Sequence, residues 1–178
     1  MGRALFIGRF QPFHLGHLKA IEWILGREDE VIVAIGSPQY GLNYENPFTT
    51  GERIEMIVRA LRECGIYNRC IIAIVPDTGG MHYLWATLVL SYVPKFDVAY
   101  SNNHFVKFLL ERAGVKVLSI PFFNRERYCG KYIRKLMVEG GPWEELVPKS
   151  VAQFIKEIGG EERVRILWEV EHGESRVS

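Results

Sequence analysis

No stretch of this sequence is apolar for long enough to cross a bilayer, and near the N-terminus only four apolar residues, Ala4 to Ile7, precede Gly8. A spanning helix needs about 20 such residues and a secretory segment a run of about 7 to 15. Neither is expected, so the sequence reads as a soluble cytoplasmic protein. Cysteine is scarce: Cys64, Cys70 and Cys129 lack CxxC or zinc-ligand spacing, and an odd number leaves one unpaired in any disulfide scheme. No excess of one charge exists either, with 22 Lys and Arg against 21 Asp and Glu. That balance argues against nucleic acid or an acidic membrane as partner and makes any positive site a local one. Neither GxxxxGK[ST] nor GxGxxG occurs, which argues against a P-loop kinase and against the familiar dinucleotide-binding fingerprint.

What is present is an alternation of short apolar runs with amphipathic stretches. Strands are expected at Ala4 to Ile7, Val31 to Ile35, Ile71 to Val75, Asp97 to Tyr100 and Val115 to Ile120. Helices are expected between them, at about Gly16 to Leu25, Gly51 to Cys64, Tyr83 to Val93 and Asn103 to Ala113. This order predicts an α/β fold, a Rossmann-like open parallel sheet flanked by helices. Beyond Pro121 only helices are expected, roughly Gly130 to Glu139 and Pro148 to Ile158, with a weakly apolar stretch from Glu161 to Glu171. The 178 residues suit one domain. We expect it to span 1–172, with its helical C-terminal part from about 125 and a frayed tail at 173–178.

Ligands of an open parallel sheet bind at the carboxyl ends of its strands. The first such end reads Gly8-Arg9-Phe10-Gln11-Pro12-Phe13-His14-Leu15-Gly16-His17. Here two histidines flank a glycine at an expected helix start, where free backbone N–H groups and the helix dipole favour phosphate. Gly16 lets backbone approach closely, imidazoles donate to oxyanions, and Arg9 adds a cationic fork. A single histidine at a helix start is commonly only a cap; the His-x-Gly-His pattern after a buried strand points to phosphate. A second basic segment follows at Arg125, Arg127, Lys131, Arg134 and Lys135, five cations in eleven residues. Alone it reads as a solvated helix face. With a triphosphate to bind, Gly130 would open the helix and Arg134 would reach back toward the phosphates.

On these residues the chain resembles the HxGH nucleotidyltransferase superfamily, and in particular the archaeal nicotinamide-nucleotide adenylyltransferases. Further matches are Gly36-Ser37 with Gln39, Asn46-Pro47-Phe48-Thr49 into Gly51-Glu52-Arg53, and Asp77 leading to Trp85. Tyr100-Ser101-Asn102-Asn103, Arg127-Tyr128 through Ile133-Arg134, and Trp143 with Leu146-Val147-Pro148 complete them. The resemblance implies transfer of the AMP part of ATP to nicotinamide mononucleotide (NMN), giving NAD and pyrophosphate. It implies His14, His17 and Arg134 as catalytic residues. ATP would be bound by Gly8, Arg9, Phe10, His14, Gly16, His17, Asn103, Lys131 and Arg134. NMN would be bound by Asp77, His82 and Trp85. Mg²⁺ is expected with ATP, held mostly by substrate and water, with no dedicated metal ligands, and a homo-oligomer, as large as a hexamer, is implied.

Three departures stand out. Lys131 replaces the family's usual threonine, Gly41-Leu42 replace Ser-His, and His82 stands where the family has asparagine near the nicotinamide. They bear on phosphate geometry and acceptor preference. The rival readings are the same chemistry on nicotinic acid mononucleotide, FMN or phosphopantetheine, and a non-catalytic nucleotide-binding regulator. Trp85 reads equally as a core aromatic, Asp77 as a turn cap and Asn103 as a helix cap, whereas Arg53 is expected to pair locally.

Overall fold

A computed structural model describes residues 2–173; of the expected tail, 174–178 lie outside the described residues. The described chain sorts into two compact units, each assembled from separated stretches. One holds the residues up to Arg9, Lys19–Gln39 and Gly65–Phe122; the other holds Phe10–Leu18, Tyr40–Cys64 and the chain from Phe123 onward.

The first unit contains the sheet. Its strands are β1 (Arg3–Gly8), β2 (Glu30–Gly36), β3 (Cys70–Val75), β4 (Val98–Tyr100) and β5 (Val117–Leu118). They pair in parallel throughout, in the order β3-β2-β1-β4-β5. The runs ALFI, VIVAI and IIAIV are apolar at consecutive positions because both faces of the sheet are covered. On one face Leu5, Ile32, Ala34 and Ala99 pack with Ala86, Val89 and Val93 around helix α3 (Trp85–Tyr92) and with Leu110 of α4 (His104–Arg112). On the other face Trp23 of α1 (Leu15–Leu25) meets Tyr100 edge-on, ring centroids 5.8 Å apart. Strand order reverses between β1 and β4, the point at which open α/β sheets bind ligands.

Two expected elements differ. The last strand is two residues rather than six, because Lys116 and Leu118 supply carbonyls to β4 and its extension while Ile120 turns its backbone to Asn102. The helix expected from Tyr83 divides into a 3-10 turn at His82–Leu84 and α3 beginning at Trp85, so His82 and Trp85 belong to different elements.

The second unit is helical. It contains α2 (Thr50–Glu63), α5 (Gly130–Glu139), α6 (Lys149–Glu157) and α7 (Gly160–His172). The apolar residues Val151, Ala152, Phe154 and Ile155 are buried on α6, at the spacing that gives a helix one inward face. Phe48, Trp143 and Val164 are buried as well. At its start α2 has a reciprocal cap: the Thr49 hydroxyl accepts from the Glu52 N–H, and the Glu52 carboxylate accepts from the Thr49 N–H. Arg163 of α7 donates to both oxygens of that carboxylate, at 2.6 and 2.7 Å, and to the Pro47 carbonyl at 3.2 Å. Burial alone would raise the Glu52 pKa, but the bonds from Arg163 and Thr49 outweigh it and hold the carboxyl below its usual range.

Replacing Glu52 by alanine removes the carboxylate half of the cap and strands a half-buried guanidinium. We expect a loss of about 2–3 kcal/mol in urea unfolding, and Arg163→Ala should lose less than Glu52→Ala because the cap survives. Equal losses would show that the carboxylate half of the cap contributes nothing.

Candidate active site

Between β1 and α1 the chain runs through Phe10-Gln11-Pro12-Phe13-His14, all five residues buried. Phe10 and Phe13 are buried, and their rings enclose His17: Phe10 meets it edge-on at 4.7 Å and Phe13 lies stacked at 5.4 Å. His14 lies stacked on His17 with ring centroids 3.5 Å apart. Phe10 takes a positive φ of 56°, the backbone bend that turns the loop inward.

The spacing of the two histidines has a specific structural meaning. His14 stands just before α1, where a serine or aspartate normally caps, and its Nδ1 accepts the backbone N–H of Gly16 at 3.1 Å and of His17 at 3.3 Å. His17, three residues on, returns the bond: its own Nδ1 accepts the His14 N–H at 3.1 Å. Two imidazoles thus form a capping box of the kind usually built from Ser or Thr and Glu. A Cβ on Gly16 would come within 2.9 Å of His14 Cε1 and 2.8 Å of Tyr128 Cβ, so the intervening glycine is sterically required. The expectation of free N–H groups at this helix start is therefore corrected. Those of Gly16 and His17 are taken by His14.

The same bonds fix the chemistry of the rings. With Nδ1 an acceptor in each, the neutral ring carries its proton on Nε2, and that N–H is the group available to an oxyanion. Burial lowers the His14 pKa from 6.5 to about 3. Burial, and secondarily His14, lowers that of His17 well below 6.5. Both rings are neutral donors at physiological pH.

Gln11 and Arg134 hold this loop. The buried Gln11 side chain makes a two-way amide bridge to Phe48, donating to its carbonyl and accepting from its N–H, each at 2.9 Å. Arg134, on α5 and only 3% exposed, donates from Nη1 to the Gln11 carbonyl at 2.8 Å and from Nη2 to Glu45 Oε2 at 3.4 Å. Gly130 opens α5 as expected, and a Cβ there would stand 3.0 Å from Arg134 Nη1 and 3.1 Å from the Gln11 carbonyl oxygen. The glycine keeps the guanidinium's path clear. Lys131, the departure, is exposed on the first turn of α5. Arg53 is fully buried and bonds locally to the Thr49 and Tyr40 carbonyls and the Thr50 hydroxyl.

The remaining residues belong to the first unit. Gly8 ends β1 and Arg9 follows, exposed. Asp77 follows β3: it accepts from the Ser37 hydroxyl at 3.1 Å and from the Gly79 N–H at 2.7 Å, while Gln39 brackets its backbone at 3.0 Å on both sides. Trp85 is half-buried against the sheet's core, and the exposed His82 meets Phe105 edge-on at 5.0 Å. Asn103 caps α4, its Oδ1 accepting from Phe105 and Val106, which leaves its amide nitrogen for any other role. Among the described residues no three His, Cys, Asp or Glu side chains converge as metal ligands, and no helix is long and apolar enough to cross a membrane. Reasoning from sequence missed Gln11 and Glu45 as site residues. The one available signal was Gln11, a lone amide inside an aromatic and proline run.

The cytidylyltransferase-like family model matches residues 5–136. A nicotinamide-nucleotide adenylyltransferase of Thermococcus onnurineus is 50% identical over 165 residues, 93% of this chain and 88% of that protein. One of Pyrococcus furiosus is 48% identical over 94% of this chain and 89% of its own length. That of Saccharolobus solfataricus is 47% identical over 93% of this chain and 96% of its own. Among solved structures, a bifunctional NMN adenylyltransferase/ADP ribose pyrophosphatase of Francisella tularensis, crystallised with AMP and Mn ion, superposes with a TM-score of 0.77. At 21% identity it bears on the fold alone; it covers 96% of this chain, which spans about half (53%) of that longer protein.

Stability should report the buried neutral His14. An unfolded imidazole takes up a proton near pH 6.5, whereas the folded ring resists until about 3. Between those values the unfolded chain binds more protons, so this contribution is full above 6.5 and fades as pH falls. His14→Asn keeps a capping oxygen and removes the titration. From pH 7.5 to 4.5 the parent should lose stability relative to His14→Asn, by up to about 1.4 kcal/mol per pH unit. Parallel unfolding curves would refute the neutral, buried ring.

Proposed function

This chain belongs to the cytidylyltransferase-like family and, within it, to the nicotinamide-nucleotide adenylyltransferases, and from that membership we propose that it joins the AMP moiety of ATP to NMN. A 5′-phosphate oxygen of NMN attacks the α-phosphorus of ATP. The bond from that phosphorus to the β-phosphate's bridging oxygen breaks, and NAD and pyrophosphate leave. The attacking phosphate is already an anion at neutral pH, so the protein needs neither a nucleophile nor a strong base. Its work is alignment and stabilisation of charge.

The observation that carries this reading is the pair of reciprocally capped imidazoles, which offers two fixed neutral donors and no proton acceptor poised for base catalysis. We assign His17 to the α-phosphate and His14 and Arg134 to the β- and γ-phosphates. The guanidinium's full charge suits the more highly charged end. Gly16, through the close approach that its missing side chain allows, with Gly8, Arg9, Lys131 and the amide of Asn103, completes the proposed ATP contacts, and Phe10 acts by holding His17. Asp77, His82 and Trp85 are assigned to NMN. The core packing behind Trp85 supports a ring wall, and the hydroxyl and amide partners of Asp77 support a fixed carboxylate for ribose.

Mg²⁺ enters with ATP as part of the substrate, held by phosphate oxygens and water. We read residues 1–172 as one nucleotidyltransferase domain, because its two units are interleaved in sequence and neither is a contiguous module. We propose a homo-oligomer, with a hexamer as the largest size the family resemblance implies; the exposed apolar side chains Tyr83, Phe105 and Phe108 are available to an interface. The expected location is the cytoplasm.

Incubation with ATP, Mg²⁺ and NMN should yield NAD and pyrophosphate, followed by chromatography. Nicotinic acid mononucleotide, FMN and phosphopantetheine serve as rival acceptors. ATP binding without pyrophosphate release from any of them would favour a nucleotide-binding regulator. His17→Ala should lower turnover by ~10²–10³ while remaining folded; a folded variant slowed less than about tenfold overturns the assignment.

A further inference from the structure

Arg134 carries a full charge in a nearly dry position, and the acidic partner it meets there is an unusual one. The Arg134 side chain is 3% exposed, whereas the Glu45 side chain opposite it is 60% exposed. Their contact is long, 3.4 Å, beside the 2.8 Å bond from the same guanidinium to the Gln11 carbonyl. The short bond fixes the guanidinium, and the long one is the bond that can be exchanged.

The backbone under Glu45 is fixed as well. Asn43 and Asn46 close a turn around it, with the Asn46 N–H bonded to the Asn43 carbonyl at 3.1 Å and to its Oδ1 at 2.8 Å. The Tyr44 N–H donates to Glu171 at 3.0 Å, and Phe48 is bridged by Gln11. Glu45 therefore sits at the tip of a pinned turn, and only its side chain needs to rotate for the carboxylate to leave Arg134. Such a rotation is a fast, local motion of an exposed side chain.

We propose that Glu45 is a displaceable counter-ion: its carboxylate neutralises Arg134 in the empty enzyme, yields that place to a phosphate of the incoming nucleotide, and returns as pyrophosphate departs. This rests on the assignment of Arg134 to the β- and γ-phosphates. A buried cation left without an anion is costly, so a partner that serves between turnovers keeps Arg134 in position. The same carboxylate must be expelled before phosphate can bind, so it weakens every polyphosphate the site takes. Glu45 thereby sets affinity for ATP and pyrophosphate together, and not for the acceptor.

Glu45→Gln tests this, with Arg134→Lys and Arg134→Ala measured alongside. Steady-state kinetics give KM for ATP and NMN and the inhibition constant of pyrophosphate, and calorimetry gives direct binding of inorganic pyrophosphate at two salt concentrations. Glu45→Gln should lower KM for ATP and the pyrophosphate constants by roughly three- to tenfold, leave KM for NMN unchanged, and lower the melting temperature of the ligand-free protein. Glu45→Asp, whose carboxylate reaches less far, should fall between the two. A merely structural glutamate would, on removal, weaken ATP binding or leave it alone. Either result, with the Arg134 variants impaired in ATP and pyrophosphate binding, overturns the counter-ion role. If the Arg134 variants bind ATP and pyrophosphate as the parent does, the assignment of Arg134 itself fails, and the counter-ion role with it.

Discussion

The exchange of hydrogen bonds between His14 and His17 is the constraint on which the rest of the site depends. Each Nδ1 is committed to backbone, so each ring has one tautomer and one orientation. The glycine between them, the phenylalanines around them and the burial that keeps them neutral all follow from the need to bring two flat rings within 3.5 Å at the first turn of a helix. A donor made in this way needs no reorganisation when charge develops opposite it, and preorganised donors of that kind supply a large part of the rate of such reactions.

Around this pair the second unit distributes its charges by depth. Glu52 and Arg163 form a two-oxygen pair that secures the start of α2, with 18% and 24% of their side chains exposed. Arg53 is deeper still and donates to the Thr49 and Tyr40 carbonyls and the Thr50 hydroxyl. Arg134 is equally deep but faces an exchangeable carboxylate. Its carboxylate partner is far more exposed than that of Arg163, 60% against 18%, which suits Arg134 to trade that partner for a ligand.

Much of this was legible in the sequence, and the reason lies in which features are local. The consecutive apolar runs of β1, β2 and β3 cannot be amphipathic strands, so a doubly covered parallel sheet follows from them directly. Gly130 before Lys131 announced the start of α5, and the His-x-Gly-His spacing announced two histidines at the start of a helix. The mechanism of that spacing was not legible. A histidine is an uncommon cap, and nothing local says that its Nδ1 will take N–H groups expected to be free. Nor was Glu45, because its meaning depends on a residue 89 positions away. The β5 strand was overestimated because Val115 and Ile120 are apolar without being paired: propensity marks the run, and only the neighbouring strand decides how much of it is used.

The way Arg134 and Arg163 close the second unit also sets an order in time. The loop from Phe10 to Leu18 leaves the ribosome early, yet Arg134, which holds it at the Gln11 carbonyl, is synthesised more than a hundred residues later, and Arg163 follows its partners Pro47 and Glu52 by a like interval. With elongation at about 5–20 residues per second, the nascent loop waits several seconds or longer without its partners. The parallel sheet in the first unit is spared that wait for its β1–β2 pair. The binding loop is thus fixed late, however early its residues were made.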